Sequence, residues 1–134
     1  MIKVVYSSKM VADQGVQGFS NDVIKSPSAR KPAELATLLK NNPFIEFVEP
    51  KPLTREDIKL SHAPNFVDDI LDLKSDNGFG NRSPEIATSL LYTNGAMYEA
   101  ARLATVNQPT CALVSGFHHA GYDNWEPLGY FCTF

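Results

Sequence analysis

Two short apolar runs constrain the fold most: IKVVY near the start of the chain and TCALVSG near its end. Neither run alternates between apolar and polar residues, which is the pattern of a strand that is buried on both faces. A third run, FIEFVEP, alternates as a half-exposed strand does, and helical patterns separate the three runs. Strands separated by helices predict an α/β fold with a parallel sheet flanked by helices.

Helical patterns fill the intervals on both sides of the half-exposed strand. The segment KPAELATLLKNNP places Pro32 at a helix start and Asn41 at its end. The segment LTREDIKLSH offers Thr54 as an N-cap, with Asp57 three residues later in an approximate capping box. We therefore expect a short helix before the half-exposed strand and a second helix start soon after it.

Two further helices are expected in the second half of the chain. The segment APNFVDDILDL spaces Phe66, Ile70 and Leu73 so that they face inward, as in an amphipathic helix. The longest helix should run from Pro84 to about Thr105 behind Ser83 as its N-cap. Its alanines would allow it to lie close against a sheet.

The end of the sequence, YFCTF, is predicted to be a further apolar strand. Cys132 in this run and Cys111 in TCALVSG both fall in predicted strands, so we expect buried, reduced thiols. Two polar, glycine-containing segments, 10–30 and 74–83, are predicted to be loops that rim any pocket.

The length and composition fit an ordinary globular domain. The 134 residues are 43% hydrophobic and 20% charged, with a net charge of −3, so residues 1–134 are expected to form a single domain. No basic excess favours binding to nucleic acid. No apolar run approaches the about 20 residues that a membrane span requires, and the N-terminus lacks a secretion signal. We expect a cytoplasmic protein that binds neither nucleic acid nor membrane.

The tandem histidines His118 and His119 follow the strand CALV, at the end of a parallel strand where ligand sites lie. Backbone carbonyls could satisfy both side chains, and this interpretation stays open. A shared metal ion is disfavoured, because adjacent side chains of an extended backbone point to opposite sides. Acid–base catalysis fits better, since two imidazoles can approach one water or oxyanion from different directions. The remaining histidine, His62, is expected to be structural or exposed.

With residues 110–134 included, the chain resembles the N-terminal part of the histone deacetylase and acetylpolyamine amidohydrolase superfamily. The Gly-x-His-His-Ala stretch of that family is similar to residues 116–120, and its Gly-Phe-Cys stretch to residues 129–132. Its helix pair with a His-Ser-x-x-Tyr core resembles LSHAPNFVDDIL, and its long alanine-rich helix resembles residues 84–105. The resemblance covers almost the full length and implies an arginase/deacetylase-like three-layer fold.

The resemblance implies the hydrolysis of an acetylated amine, either acetyl-lysine or an acetylpolyamine. In that family a zinc ion polarises the acyl carbonyl and activates the water that attacks it. By position, His118 would be the electrostatic partner, and His119 the general base and later the general acid. The channel that holds the acyl-amine chain would be formed by Phe117, Gly129, Tyr130 and Phe131, with Phe131 as its main wall.

The sequence also departs from the family. In that family, positions beyond Gly-Phe-Cys supply the zinc ligands, the aspartates that orient the histidines and the tyrosine that binds the oxyanion. These 134 residues do not supply them. We therefore expect an incomplete domain that holds no zinc and hydrolyses nothing alone, with zinc binding only if downstream ligands are supplied. The GYFC stretch carries an extra aromatic, and Arg82 stands in the loop where many members place a substrate-clamping acid.

Two alternatives to a fragment of a longer zinc enzyme stay open. The chain could be a metal-free remnant of the fold that binds a ligand or a partner, with its last strand paired symmetrically in a homodimer. It could also be a small α/β protein whose resemblance to the superfamily is accidental.

Overall fold

In the computed structural model, which describes residues 1–12, 30–114, 120–124 and 133–134, a three-stranded parallel sheet forms the centre of the fold. The central strand β1 (Ile2–Val5) pairs with β2 (Ile45–Val48) on one side and with β3 (Thr110–Ala112) on the other. The predicted α/β class is confirmed.

The described residues form four α-helices and one short 3-10 helix. None of these helices combines the length and the apolar character that crossing a membrane requires. The 3-10 helix spans Ser8–Met10, and the α-helices are α1 (Lys31–Leu39), α2 (Arg55–Ile58), α3 (Pro64–Leu71) and α4 (Pro84–Leu103).

Helices cover both faces of β1. Val4 is 2% exposed and packs with Ala36 of α1, whereas Val5 is fully buried and packs with Ala96 of α4. Successive side chains of a strand point to opposite faces, so two adjacent valines reach two separate helical layers. This explains why the run IKVVY lacks alternation. Phe47 of β2 is 38% exposed, as expected of a half-exposed strand.

The predicted helix starts are confirmed at two N-caps. The hydroxyl of Thr54 accepts the amide of Asp57, and the Asp57 carboxylate accepts the amide of Thr54 at 2.8 Å, which completes a capping box. The hydroxyl of Ser83 accepts the amide of Ile86 at the start of α4. Both caps satisfy amides that have no partner within the first helical turn.

Charged side chains join α2 to α3. Arg55 lies 2.7 Å from both Asp68 and Asp72, and Lys59 lies 3.0 Å from Asp68. Hydrogen bonds from Arg55 and Lys59 lower the pKa of Asp68, and the Arg55 hydrogen bond lowers that of Asp72. The ion pairs therefore stabilise the packing of α2 against α3 fully at pH values above the ordinary carboxyl pKa. This stabilisation is lost as the pH falls through the lowered pKa values of Asp68 and Asp72.

One detail of the helix prediction is wrong. The inward face of α3 includes Val67, which is fully buried, whereas Leu73 lies beyond the end of the helix. Leu73 has a φ of 61°, a left-handed conformation that ends the helical turn and removes it from the register of Phe66 and Ile70.

The predicted strands near the end of the chain also need correction. The strand in TCALVSG is only three residues long, and Cys111 is exposed, because β3 is the outer strand of the described sheet on this side. Thr133 and Phe134 are buried but not in a strand. The rest of the YFCTF prediction, Cys132 included, lies outside the described residues.

A close backbone crossing fixes the segment after β2 on α4. The amide of Leu53 donates to the carbonyl of Leu91 at 3.0 Å. A Cβ atom on Gly95 would overlap the carbonyl oxygen of Lys51 and would lie 3.2 Å from the Cα atom of Pro52. Only glycine fits at this crossing without a backbone shift.

The crossing predicts that Gly95→Ala destabilises the protein. Alanine is better than glycine in a helix interior by roughly 0.5–1 kcal/mol, so helix propensity alone would give a gain. We expect instead a loss of about 2 kcal/mol in the free energy of unfolding, because the methyl group meets backbone atoms that cannot rotate away. Denaturant unfolding followed by circular dichroism measures the change.

The matched control is Ala101→Gly, at an exposed position of the same helix. It should cost about 1 kcal/mol from propensity alone. A Gly95→Ala protein that unfolds at the same or a higher denaturant concentration than the wild type would show that the crossing is not tight.

Candidate functional site

The carboxyl ends of the three strands meet at one edge of the sheet, because all the strands are parallel. Tyr6 and Ser7 follow β1, Glu49 follows β2, and Val114 comes two residues after β3. In open α/β sheets, ligands bind beyond this edge. We take this carboxyl edge, defined by these four residues, as the candidate site.

Ser7 connects the ends of β1 and β2. Its side chain is nearly fully buried, and its hydroxyl donates to Oε1 of Glu49 at 2.5 Å. The Ser7 hydroxyl oxygen also accepts the amide of Lys9 at 3.2 Å and so caps the 3-10 helix. The amide of Ser7 donates to the sulfur of Met10 at 3.2 Å. These hydrogen bonds fix the turn that follows β1 and join it to the end of β2.

Tyr6 is held as a neutral phenol at the same edge. Its ring meets Phe47 edge-on, with 6.4 Å between the ring centroids. Burial raises the pKa of Tyr6, and the nearby carboxylate of Glu49 raises it further, because both disfavour a phenolate. At neutral pH the side chain is therefore a hydrogen-bond donor.

A pocket of about 370 Å³ opens beside the end of β1. Its size is in the range of small-molecule sites. Val11 and Arg30 belong to its lining, so the two ends of the predicted loop 10–30 do border a pocket. The polar side chains that line it are those of Tyr6, Ser8, Arg30, Glu34 and Glu85.

A second pocket, of about 390 Å³, lies at the end of β2, between the segment 49–53 and α4. Arg102 and Glu99 on its wall form a two-point ion pair, with nitrogen–oxygen distances of 2.9 and 2.6 Å. Glu49 lines this pocket while it accepts the Ser7 hydroxyl. Arg102 and Glu99 are therefore engaged with each other, and Glu49 is engaged with the sheet edge.

The predicted catalytic and channel residues lie outside the part of the chain that the structure describes. These residues are His118, His119, Phe117, Gly129, Tyr130 and Phe131. The residues that flank them are described: Val114 and Ala120 flank the histidine segment, and Thr133 follows the GYFC stretch.

The residues after both motif segments are fixed on the start of α3. The carbonyl of Tyr122 accepts the amide of Ala63 at 2.9 Å and lies 3.3 Å from Nδ1 of His62. The ring of Phe134, which is 3% exposed, lies 5.5 Å from the ring of His62 and 5.7 Å from that of Phe66. His62 is thus half-buried and bonded, as the structural interpretation of this residue predicted.

The second predicted loop, 74–83, is held by asparagine side chains. The Asn77 side chain is 2% exposed; its oxygen accepts the amide of Phe79 at 2.9 Å, and its nitrogen donates to the Asn81 side chain at 3.0 Å. The amide of Gly78 donates to the hydroxyl of Thr133 at 2.9 Å. This loop therefore fixes the chain that follows the GYFC stretch.

Asp76 is a candidate that the sequence analysis missed in this loop. Its carboxylate accepts Nε of Arg82 at 2.8 Å, and both side chains are about half-exposed. The guanidinium of Arg82 therefore lies directly beside an acid. The sequence signal was present in the order Asp-x5-Arg, but spacing alone does not tell a paired arginine from a free one.

Metal binding has no support in the described part of the chain. No group of three or more His, Cys, Asp or Glu side chains is placed to hold a metal ion among residues 1–12, 30–114, 120–124 and 133–134. The zinc ion that the family resemblance implies does not fit these residues.

Comparison with known proteins assigns no family: no protein-family model matches the chain, and a search of the curated proteins gives no significant match. The resemblance to the deacetylase superfamily accordingly stays a prediction.

The electrostatics of this edge predict the effect of Glu49→Gln. Removal of the carboxylate charge should lower the pKa of the Tyr6 phenol, because the phenolate is no longer repelled, but burial should keep it above 10.0. The amide oxygen of glutamine still accepts the Ser7 hydroxyl, so the turn is preserved. Absorbance titration of the tyrosines, with Tyr6→Phe identifying the Tyr6 component, measures the pKa.

Glu46→Gln is the matched control, because Glu46 is an exposed carboxylate on β2, the strand that Glu49 follows. It should leave the Tyr6 titration unchanged. A Tyr6 pKa that stays constant or rises in Glu49→Gln would show that the two side chains do not interact.

Proposed function

We propose that this chain is the N-terminal, histidine-bearing part of a zinc-dependent deacylase that resembles the histone deacetylase superfamily. One observation carries the proposal: the strand that precedes the histidine motif is paired in parallel with β1, so Val114 leaves the sheet at the edge that holds Tyr6, Ser7 and Glu49. His118 follows four residues later. The arginase/deacetylase-like fold, beyond the α/β class, is part of this proposal.

The anchoring of both motif segments supports the proposal further. Tyr122 and Phe134 follow the two segments in the sequence, and both contact His62 at the start of α3. An active site assembled from two separate stretches needs both to be held on one rigid support. The aromatic contacts and the hydrogen bond to Thr133 provide such a support next to the long helix α4.

The proposed roles of the histidines are those of acid–base catalysis of amide hydrolysis. His119 accepts a proton from the water that attacks the acyl carbon, and it later donates a proton to the amine as the carbon–nitrogen bond breaks. His118 stabilises the charge that develops beside it. The products are acetate and the free amine, so each step balances without a redox partner.

Zinc ligands are not available among the described residues, so no step is assigned to the metal here. When bound, the ion would supply Lewis-acid activation of the acyl carbonyl and of the water. The proposal therefore requires that ligands come from outside the described residues.

The pocket beside β1 has the size of a small-molecule site. It is lined by the carboxylates of Glu34 and Glu85, the Arg30 guanidinium, the Tyr6 phenol and the Ser8 hydroxyl. The neutral phenol can donate a hydrogen bond to an acyl carbonyl. An acetylated polyamine and acetyl-lysine are both proposed as substrates.

The decisive variant for this proposal is His119→Ala in the protein expressed from its complete reading frame. The wild type, loaded with zinc, should release acetate from N-acetylputrescine, and a chelator should abolish the release. His119→Ala should lower kcat by about 10²–10⁴-fold, because general acid–base catalysis contributes this much. The assay measures acetate by a coupled enzymatic reaction, with an acetyl-lysine peptide as the second substrate.

Val106→Ala is the control, since the Val106 side chain is fully exposed at the turn after α4. It should retain the wild-type rate. The 134-residue chain alone should release no acetate. Zinc-dependent release by the chain alone, or full activity of His119→Ala, would contradict the proposal. Binding of an acetylated amine without any hydrolysis by the complete protein would favour a non-catalytic binding domain.

A further inference from the structure

The strand β2 has a free edge in the described part of the sheet. It pairs with β1 on one side, and no described strand adjoins its other side. Glu46 is exposed, and Phe47 is 38% exposed although it lies in the middle of a strand. Pro43 and Pro50 bound this stretch in the sequence. An edge strand of this kind can pair with a strand of another chain.

The hydrogen bonds to β1 show which backbone groups of β2 point outward. The amide of Ile2 donates to the carbonyl of Phe44, and the amide of Tyr6 donates to that of Val48. Residues 44 and 48 therefore direct their carbonyls toward β1. The direction alternates along a strand, and both backbone groups of one residue point the same way, so Phe47 directs its amide and its carbonyl away from β1. Phe47 thus offers one donor and one acceptor to a strand outside the sheet.

A second copy of β2 supplies the same two groups in the arrangement that pairing requires. In an antiparallel pair, two residues that lie directly opposite each other exchange both of their N–H···O bonds. A two-fold axis at Phe47 places this residue opposite its own copy, so each chain donates one bond and accepts one. Because the same edge is used by both copies, the pairing closes at a dimer. The described strands would then form one continuous sheet, in the order β3-β1-β2-β2-β1-β3.

The side chains fit this register on one face of the sheet through their aromatic rings. The ring of Phe47 already meets that of Tyr6 edge-on, with 6.4 Å between the centroids. Pairing about the axis would place the two Phe47 side chains opposite each other and extend this row of rings into the second copy. Aromatic pairs that lie opposite each other across two strands stabilise a sheet.

The charges also suit the register on the other face. Glu46 lies one residue before Phe47, so the axis places it opposite Val48 of the second copy and not opposite a second Glu46. Like charges directly opposite each other would destabilise the pair, and this register avoids them. Lys3 is the register partner of Glu46 on β1, so each carboxylate has a cation on the neighbouring strand of its own chain.

We propose that the edge of β2 is a dimer interface, in which two copies of this chain pair β2 antiparallel about a two-fold axis at Phe47. The dimer does not require that the protein hydrolyse an amide. A four-residue strand buries a small area, so the dimer should be weak and should form in proportion to the protein concentration.

Charge-swapped variants at Phe47 test which residues face each other. Phe47→Lys and Phe47→Glu each place two like charges across the axis, so each variant alone should have a dissociation constant at least about tenfold higher than that of the wild type. An equimolar mixture should recover a dimer with one chain of each kind, because opposite charges then meet. Sedimentation equilibrium of the protein from the complete reading frame measures the constants, and native mass spectrometry identifies the mixed dimer.

A second pair of variants isolates the backbone hydrogen bonds. Phe47→Pro and Phe47→Ala both remove the ring, but only proline removes the amide. Because this amide points away from β1, proline keeps the pairing of β2 with β1. We expect the dissociation constant of Phe47→Pro to exceed that of Phe47→Ala by at least about tenfold. Circular dichroism checks that each variant is folded.

Val106→Lys is the control, because the Val106 side chain is fully exposed at the turn after α4. It should form dimers as the wild type does. A wild type that stays monomeric up to about 1 mM would overturn the proposal. So would a Phe47→Lys protein that dimerises as tightly as the wild type, or a mixture with Phe47→Glu that recovers no dimer.

Discussion

The parallel pairing of β1 on both of its sides is the constraint on which the rest of the structure depends. It places the carboxyl ends of three strands at one edge, and it forces Val4 and Val5 into two different helical layers. Because both valines are buried, a slip of β1 by one residue would cost free energy. Each side chain would then face the helical layer on the opposite side of the sheet. The location of the candidate site follows directly from this pairing.

Two sets of contacts hold the parts of the chain that the proposed site involves. The first is the turn after β1, where Ser7 links the end of β1 to Glu49 and Tyr6 is kept protonated. The second is the start of α3, where His62 meets Tyr122 and Phe134. The first set comes from residues close to the sheet, and the second joins chain segments that are 60 residues apart in the sequence.

Local patterns in the sequence were sufficient for much of the fold. The caps at Thr54 and Ser83 depend on contacts within three residues, so the sequence alone locates them. The exposure of Cys111 could not be read in the same way, because burial of an outer strand depends on what lies beside it. The position of the histidine motif after a parallel strand was predictable, but the contact of His62 with Tyr122 depends on the packing of distant segments.

The central claim is that the carboxyl edge of the sheet holds the ligand, and backbone amide chemical shifts test it most directly. Nitrogen-15-labelled protein from the complete reading frame is titrated with N-acetylputrescine. We predict that the largest shifts occur at Tyr6, Ser7 and Val114, with little change at Ile2 and Thr110, where β1 and β3 begin. Shifts concentrated at Ile2 and Thr110, with the carboxyl edge unchanged, would contradict the claim.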